Sequence, residues 1–311
     1  MSTNFVTQPQ FTGPTGSATY RYQGLPKATL HPWTTARGTV VSGFEMSDHV
    51  WHRGLWFTIK FINGDNYWEE HEPFGTQVHN QPPTVSETPL GHRRLSATVD
   101  YRSPATADKP AVVTATETRH LTFSIGPSLA ANGTPGHPVT QLDWSSTFTA
   151  RQDLLLDRTP YTTWGGYGGL SFRASRELHD GELILADGSK QNLVTGQSSP
   201  WLALRAKVDG GLQRGVLMTV FDHPSNQRSP TPWYGRSING FTFWNAAFLF
   251  HEPLALPAGQ SITFNYRLLL TDLDYPAPVN GQPGSFHDEP LLARISDLCN
   301  SYRQSTPQVQ P

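Results

Sequence analysis

The chain has 311 residues, of which 27 are Gly and 26 Pro, so about one in six relaxes or locks the backbone, and long helices are disfavoured. Charged residues make up 15%, aromatics 11% with nine Trp, and the formal charge is −2, which excludes a disordered chain and a phosphate-tracking basic surface. Mean hydropathy is −0.44 and no apolar run approaches the ~18 residues a bilayer demands, so neither nucleic acid nor membrane is an expected partner.

Residues 1–16, rich in Thr, Gln, Pro and Gly, read as a flexible N-terminal segment; 17–304 as a single β-sandwich domain; 305–311 as a flexible tail. In chain order, β-branched and aromatic runs predict strands over Gly38 to Phe44, Leu55 to Ile62, Ala111 to Ile125, Val139 to Ala150 and Gly169 to Ala174. They continue over Trp201 to Val208, Gly215 to Phe221 and Phe241 to Phe250. The clearest strand is Ser261 to Leu270, where Ile262, Phe264, Tyr266, Leu268 and Leu270 alternate with polar residues. Leu291, Leu292, Ile295, Leu298 and Tyr302 recur at helical spacing behind Pro290, so one C-terminal helix is expected. Loops are expected at Pro73 to Gly91, Pro127 to His137 and Pro224 to Trp233. Many strands without intervening amphipathic helices make the fold all-β, a large antiparallel β-sandwich. The lone cysteine, Cys299, cannot close an intramolecular disulfide and fits a cytoplasmic protein; homo-oligomerisation stays open.

Chemistry concentrates in two segments. Asp48-His49-Val50-Trp51-His52-Arg53 gathers a carboxylate, two imidazoles and a guanidinium within six residues ahead of a strand. Such a set can present a general acid or base, ligate a metal or stabilise a loop. Asp222-His223-Pro224-Ser225-Asn226 repeats the Asp-His pair and runs on to Trp233 and Arg236 through a proline-stiffened stretch, which suits either a pre-organised polar site or an ordinary turn. Glu69-Glu70-His71 adds paired carboxylates, and His31-Pro32-Trp33 and Trp164 to Gly169 add aromatic faces. Aromatic rings suit the apolar faces of sugars, and Asp, Asn, Arg and His suit their hydroxyls, so a neutral carbohydrate is the expected small-molecule partner.

These motifs, with Asn63-Gly64-Asp65-Asn66-Tyr67-Trp68, follow one another in an order that resembles the PmoA-like family of bacterial proteins over roughly residues 20 to 272. The resemblance implies a site at Asp48, His49, His52, Arg53, Asp222, His223 and Asn226, and association with sugar catabolism. The strand pattern is similar to the galactose-mutarotase-like super-sandwich. The resulting expectation is a carbohydrate-active enzyme working by His and carboxylate acid–base chemistry, as hydrolase, lyase or epimerase. Its catalytic candidates are Asp48, His49, His52, Glu70, Asp222 and His223; its substrate-binding candidates are His31, Trp51, Arg53, Trp164, Asn226, Trp233 and Arg236. No cofactor is expected. The alternatives are a divalent metal held by His31, His49, His52 and His223, and a non-catalytic sugar-binding module.

Overall fold

The computed structural model describes residues 8–130, 136–159, 166–210, 213–276 and 288–306. Two antiparallel sheets face each other. The eight-stranded sheet runs, edge to edge, through Gln10–Gly13, Gly16–Arg21, Thr29–Thr35, Leu55–Ile59, Gly168–Arg173, Phe241–Ala246, Pro232–Ile238 and Leu193–Ser198. The ten-stranded sheet runs from Thr84–Glu87 through Arg93–Arg102, Val113–Ile125, Val139–Ala150, Ser261–Asp274, Arg214–Asp222, Trp201–Val208 and Leu178–Leu185 to Lys190–Gln191, and Thr76–His79 also pairs with Arg93–Arg102. The fold is therefore the expected large antiparallel β-sandwich with one C-terminal helix, Asp288–Gln304.

Side-chain alternation builds three layers of apolar contact. Phe57, Trp233 and Trp244 of the eight-stranded sheet point inward to meet Phe264, Trp144 and Leu268 of the ten-stranded one, and Phe57 and Phe264 lie 5.6 Å apart between ring centroids. On the outer face of the ten-stranded sheet, Leu217, Phe221 and Leu269 are covered by Ile295, Cys299 and Tyr302 of the helix. Asp288, in the helix's first turn, accepts from Arg205 and pairs with Lys190, which anchors the helix to that sheet. On the outer face of the eight-stranded sheet, Trp56, Tyr234 and Phe243 form a separate aromatic cluster with Trp68 and Ala247. A short hairpin, Phe44–Met46 with His49–Arg53, lies beside it.

Several expectations about local structure are corrected. Gln10–Gly13, inside the segment expected to be flexible, pairs with Gly16–Arg21 as an edge strand; residues 1–7 lie outside the described residues. The loop expected at Pro73 to Gly91 contains the strands Thr76–His79 and Thr84–Glu87. Gly38 to Phe44 forms isolated bridges at Val40 and Ser42 rather than a continuous strand. The proline-rich stretch ends in the strand Pro232–Ile238, where proline is tolerated as the first residue. Part of the loop expected at Pro127 to His137, residues 131–135, lies outside the described residues.

The core also holds charge. Glu117 and Arg119, both fully buried, form a two-point ion pair at 2.7 Å, and Tyr101 and Ser146 donate to the same carboxylate. Arg119 reaches Tyr20 Oη, which in turn pairs with His79 Nε2 at 2.9 Å. Burial, aided by the Arg119 charge, pushes the His79 imidazole from 6.5 down to about 3. The unfolded chain takes up this proton below its ordinary value, whereas the folded one resists it. Stability is therefore lost as the pH falls from about 6.5 towards 3. Denaturant titrations at pH 7 and 5 are expected to show His79→Gln abolishing roughly 1 to 2 kcal/mol of the wild-type acid sensitivity; an unchanged pH slope in the variant contradicts this.

Candidate functional site

Gly54 sets the geometry of the hairpin. It joins His49–Arg53 to Leu55–Ile59 at φ +68°, and a Cβ there would stand 2.4 Å from the Leu30 carbonyl oxygen, so no other residue makes this link without strain. The hairpin lays its imidazoles against the outer aromatic cluster. His52, buried, stacks on Phe243 at 4.9 Å and lies 5.4 Å from Trp56. His49 stacks on His52 at 4.7 Å, and Trp51 and Phe241 stand 5.2 and 5.1 Å from it. Trp51 meets His71 at 5.1 Å, and Trp68 stacks on Tyr167 at 4.7 Å, with Tyr234 edge-on to Tyr167.

Two features distinguish this cluster from ordinary core. The Nδ1 atoms of both His49 and His52 are buried without a hydrogen-bond partner, and the His49 side chain is about one-third exposed. Burial, with the charge of Arg173, holds both imidazoles below their ordinary value; in His49 the Asp48 carboxylate opposes this, and in His52 the neighbouring His49 adds to it. Both rings are therefore neutral at pH 7. Asp48 lies 3.8 Å from His49 Nδ1 and accepts from Arg173 Nη2 at 2.7 Å. Burial works against its ionisation, but the Arg173 hydrogen bond and charge outweigh burial and keep it a carboxylate.

Beneath the hairpin runs a paired ion network. Arg53 donates to Glu70 through Nε and Nη2 at 2.9 and 2.5 Å and to Glu45 through Nη1, while Lys27 pairs with Glu70 at 3.4 Å. Burial would raise the Glu70 value, yet the Arg53 hydrogen bonds and the Lys27 and Arg53 charges bring it below normal. Lys60 pairs with Glu69, whose carboxylate also accepts from Asn66. Arg53 and Glu70 are thus engaged with each other and with Glu45 and Lys27.

The second Asp-His segment lies elsewhere. Asp222 is buried and accepts from Asn226 Nδ2 at 2.8 Å, Ser229 Oγ at 2.6 Å and Thr231 N at 3.0 Å. Asn226 bridges to the backbone of Asn265, and His223 spends its ring nitrogens on Ser225 Oγ and the Ser305 carbonyl, beside Tyr302 of the helix. That helix covers the ten-stranded sheet, so the whole sandwich separates His223 from His49. The expected convergence of the two segments is overturned: Asp222, His223 and Asn226 make a turn with satisfied hydrogen bonds. The turn does position Ser229 and Thr231 ahead of Pro232–Ile238, the strand that brings Tyr234 and Arg236 to the aromatic cluster.

Trp233, by alternation, points into the core and donates to the Ser199 carbonyl at 2.9 Å, so it is no platform for a ligand. Trp164 lies outside the described residues. His31 pairs with Ser42 Oγ at 2.9 Å and stacks on Phe44; burial brings it down to about 4. Of the four imidazoles considered as metal ligands only His49 and His52 adjoin, while His31 is engaged with Ser42 and His223 with Ser225 and Ser305, and among the described residues no three of His, Cys, Asp and Glu gather as a metal site. Arg173 and Phe243 were not anticipated, although an arginine within the otherwise uncharged Gly169 to Ala174 strand was a visible anomaly.

A family model matches residues 12–277: "Family of unknown function (DUF6807)". The chain belongs to the DUF6807 family. This corrects the resemblance to the PmoA-like family, which no comparison shows, and the residue set it implied now rests on geometry alone. No curated protein matches this family member. Among solved structures it is similar to the GH36 α-galactosidase AgaA from Geobacillus stearothermophilus, at 12% identity and a TM-score of 0.43, and to a variant of that enzyme in complex with stachyose, at 10% and 0.43. Each match covers 86% of this chain, which spans 41% of the length of either α-galactosidase chain. Among the described residues of this DUF6807 member, no helix is long and apolar enough to cross a membrane.

The ion network makes a stability prediction. Glu70→Ala removes the ion-pair partner of buried Lys27 and leaves buried Arg53 with Glu45 alone, and equilibrium denaturation is expected to show a loss of roughly 3 kcal/mol. A variant within experimental error of wild type removes Glu70 from the support of the hairpin.

Proposed function

We propose that the aromatic cluster beside the hairpin binds a sugar derivative and that His49 moves a proton on it. One observation carries this reading: a partly exposed imidazole stacked on a buried one, each with an Nδ1 that lacks a hydrogen-bond partner, beside the partly buried rings of Trp51, Tyr167 and Phe241. Flat aromatic faces match the C–H faces of a pyranose, and Asp48, Glu69 and Arg236 offer polar contacts at the same cluster.

Neutral imidazoles suit a general base better than a general acid at pH 7. When His49 takes a proton, the Asp48 carboxylate at 3.8 Å stabilises the imidazolium, and Arg173 keeps that carboxylate ionised and in place. His52, behind it, holds the His49 ring by stacking. Hydrolysis by a pair of carboxyl groups is less well supported, because Glu70 is bound by two cations and Asp222 is enclosed in its turn. Proton abstraction from carbon, as in epimerisation or elimination, fits the set better.

The test is a panel of glycosides and sugar derivatives, with binding read by calorimetry and turnover by NMR. His49→Gln is expected to lower turnover by at least ~100-fold while changing stability by less than about 0.5 kcal/mol. Because the required form is the neutral ring, the rate is expected to hold on the acid side until pH drops below the ordinary histidine value of 6.5. An acid limb above that value, or full activity in the variant, removes His49 as the base. Sugar binding without turnover of any member identifies a binding module instead.

A further inference from the structure

The buried arginines of this chain are paired in different ways. Arg119 uses Nε, Nη1 and Nη2 on Glu117 and Tyr20, and Arg53 uses all three on Glu70 and Glu45. Arg173, fully buried at the end of Gly168–Arg173, uses one: Nη2 donates to Asp48, while Nε and Nη1 are buried without a hydrogen-bond partner. Its Cζ stands 3.8 Å from the Phe241 ring centroid, and that ring lies 5.1 Å from His49, so the incomplete guanidinium borders the base. Stacking on Phe241 offsets part of the cost of burial, but it pairs no N–H group.

The charges around it favour an anion. Arg176 is a second cation on Asp48, at 3.7 Å, and the Cζ of Arg236 is 5.9 Å from the same Phe241 centroid. The carboxylates acting on His49 are Asp48, shared between Arg173 and Arg176, and Glu69, paired with Lys60. The open donors also have a shape. Nη2 carries two hydrogens and Asp48 engages it at one oxygen, so the second hydrogen lies beside either Nη1 or Nε, both unpaired. One two-donor edge of the guanidinium is left, and a planar carboxylate fits it with two parallel hydrogen bonds.

We propose that the sugar bound beside His49 carries a carboxylate, as a uronic acid does, and that Arg173 receives it on this edge. The inference rests on the proposed sugar site and adds the charge of its ligand. Arg173 is then a specificity-determining residue that also orders Asp48.

The test is calorimetry on the full chain with methyl glucuronide and methyl galacturonide, the corresponding neutral methyl glycosides, and glucose 6-phosphate as a non-planar anion. The uronides are expected to bind roughly 10- to 100-fold more tightly than the neutral glycosides. Arg173→Lys, which keeps the charge and loses the fork, is expected to remove most of that preference. Should that variant show no cooperative thermal transition, the wild-type panel decides alone. Neutral glycosides binding as tightly as uronides overturn the inference and leave the sugar site standing, as does a phosphate preferred over both uronides. Failure of every sugar to bind removes the site and the inference together.

Discussion

Everything at the candidate site depends on the aromatic outer face of the eight-stranded sheet. Strand alternation that sends Phe57, Trp233 and Trp244 inward sends Trp56, Tyr234 and Phe243 outward, and rings of that size cannot be left in water without large cost. The ten-stranded sheet solves the same problem with a helix, whose apolar stripe seals Phe221 and Leu269. The eight-stranded sheet has the hairpin and the segment around Trp68 beside it, and both carry polar chemistry. Covering an aromatic face with imidazoles instead of leucines is what desolvates His49 and His52 and keeps them unprotonated.

Desolvating charge is expensive, and the molecule treats its buried ions unequally. Glu117 with Arg119, and Arg53 with Glu70, Glu45 and Lys27, are paired and hydrogen-bonded, so they specify the packing of strands without an unmet demand. Arg173 is the exception, one residue from the bridge between Ala174 and Ser42 that ties the sheet to the start of the hairpin. Incomplete pairing at a rigid position next to a neutral imidazole is better explained by a ligand than by folding, because folding alone favours an apolar residue there.

Much of the sandwich was legible in the sequence. Ser261 to Leu270 alternates cleanly because one face meets the opposing sheet, and Pro290 with its helically spaced leucines marks the helix that caps the other. Arg93–Arg102 was hidden although Leu95, Ala97, Val99 and Tyr101 do alternate, because the His92-Arg93-Arg94 charge run and a small Ala obscure the period. Pro232–Ile238 was hidden by the prolines before it. At the site, Asp48, His49, Trp51 and His52 could be picked out because they are neighbours in the chain. Arg173, Tyr234 and Phe243 could not, since only the pairing of Gly168–Arg173 and Pro232–Ile238 with Phe241–Ala246 brings them together.

The two Asp-His pairs show why a motif alone does not carry chemistry. Asp48-His49 and Asp222-His223 are identical dipeptides, and each is followed by a turn or hairpin next to aromatic rings. In the second, every polar group of interest meets a partner: Ser229, Thr231 and Asn226 donate to the carboxylate, and the ring pairs with the Ser225 hydroxyl and a helix-end carbonyl. Its free energy is spent within the fold. In the first, the carboxylate is shared with an arginine that has donors to spare, and the ring nitrogen 3.8 Å from it has no hydrogen bond. The difference arises from the surroundings and not from the residues: a proline-rich turn supplies backbone and hydroxyl donors within nine positions, whereas a hairpin lying on an aromatic sheet finds rings, which satisfy surface area but not lone pairs. That unmet polarity is what separates a binding surface from a packed one.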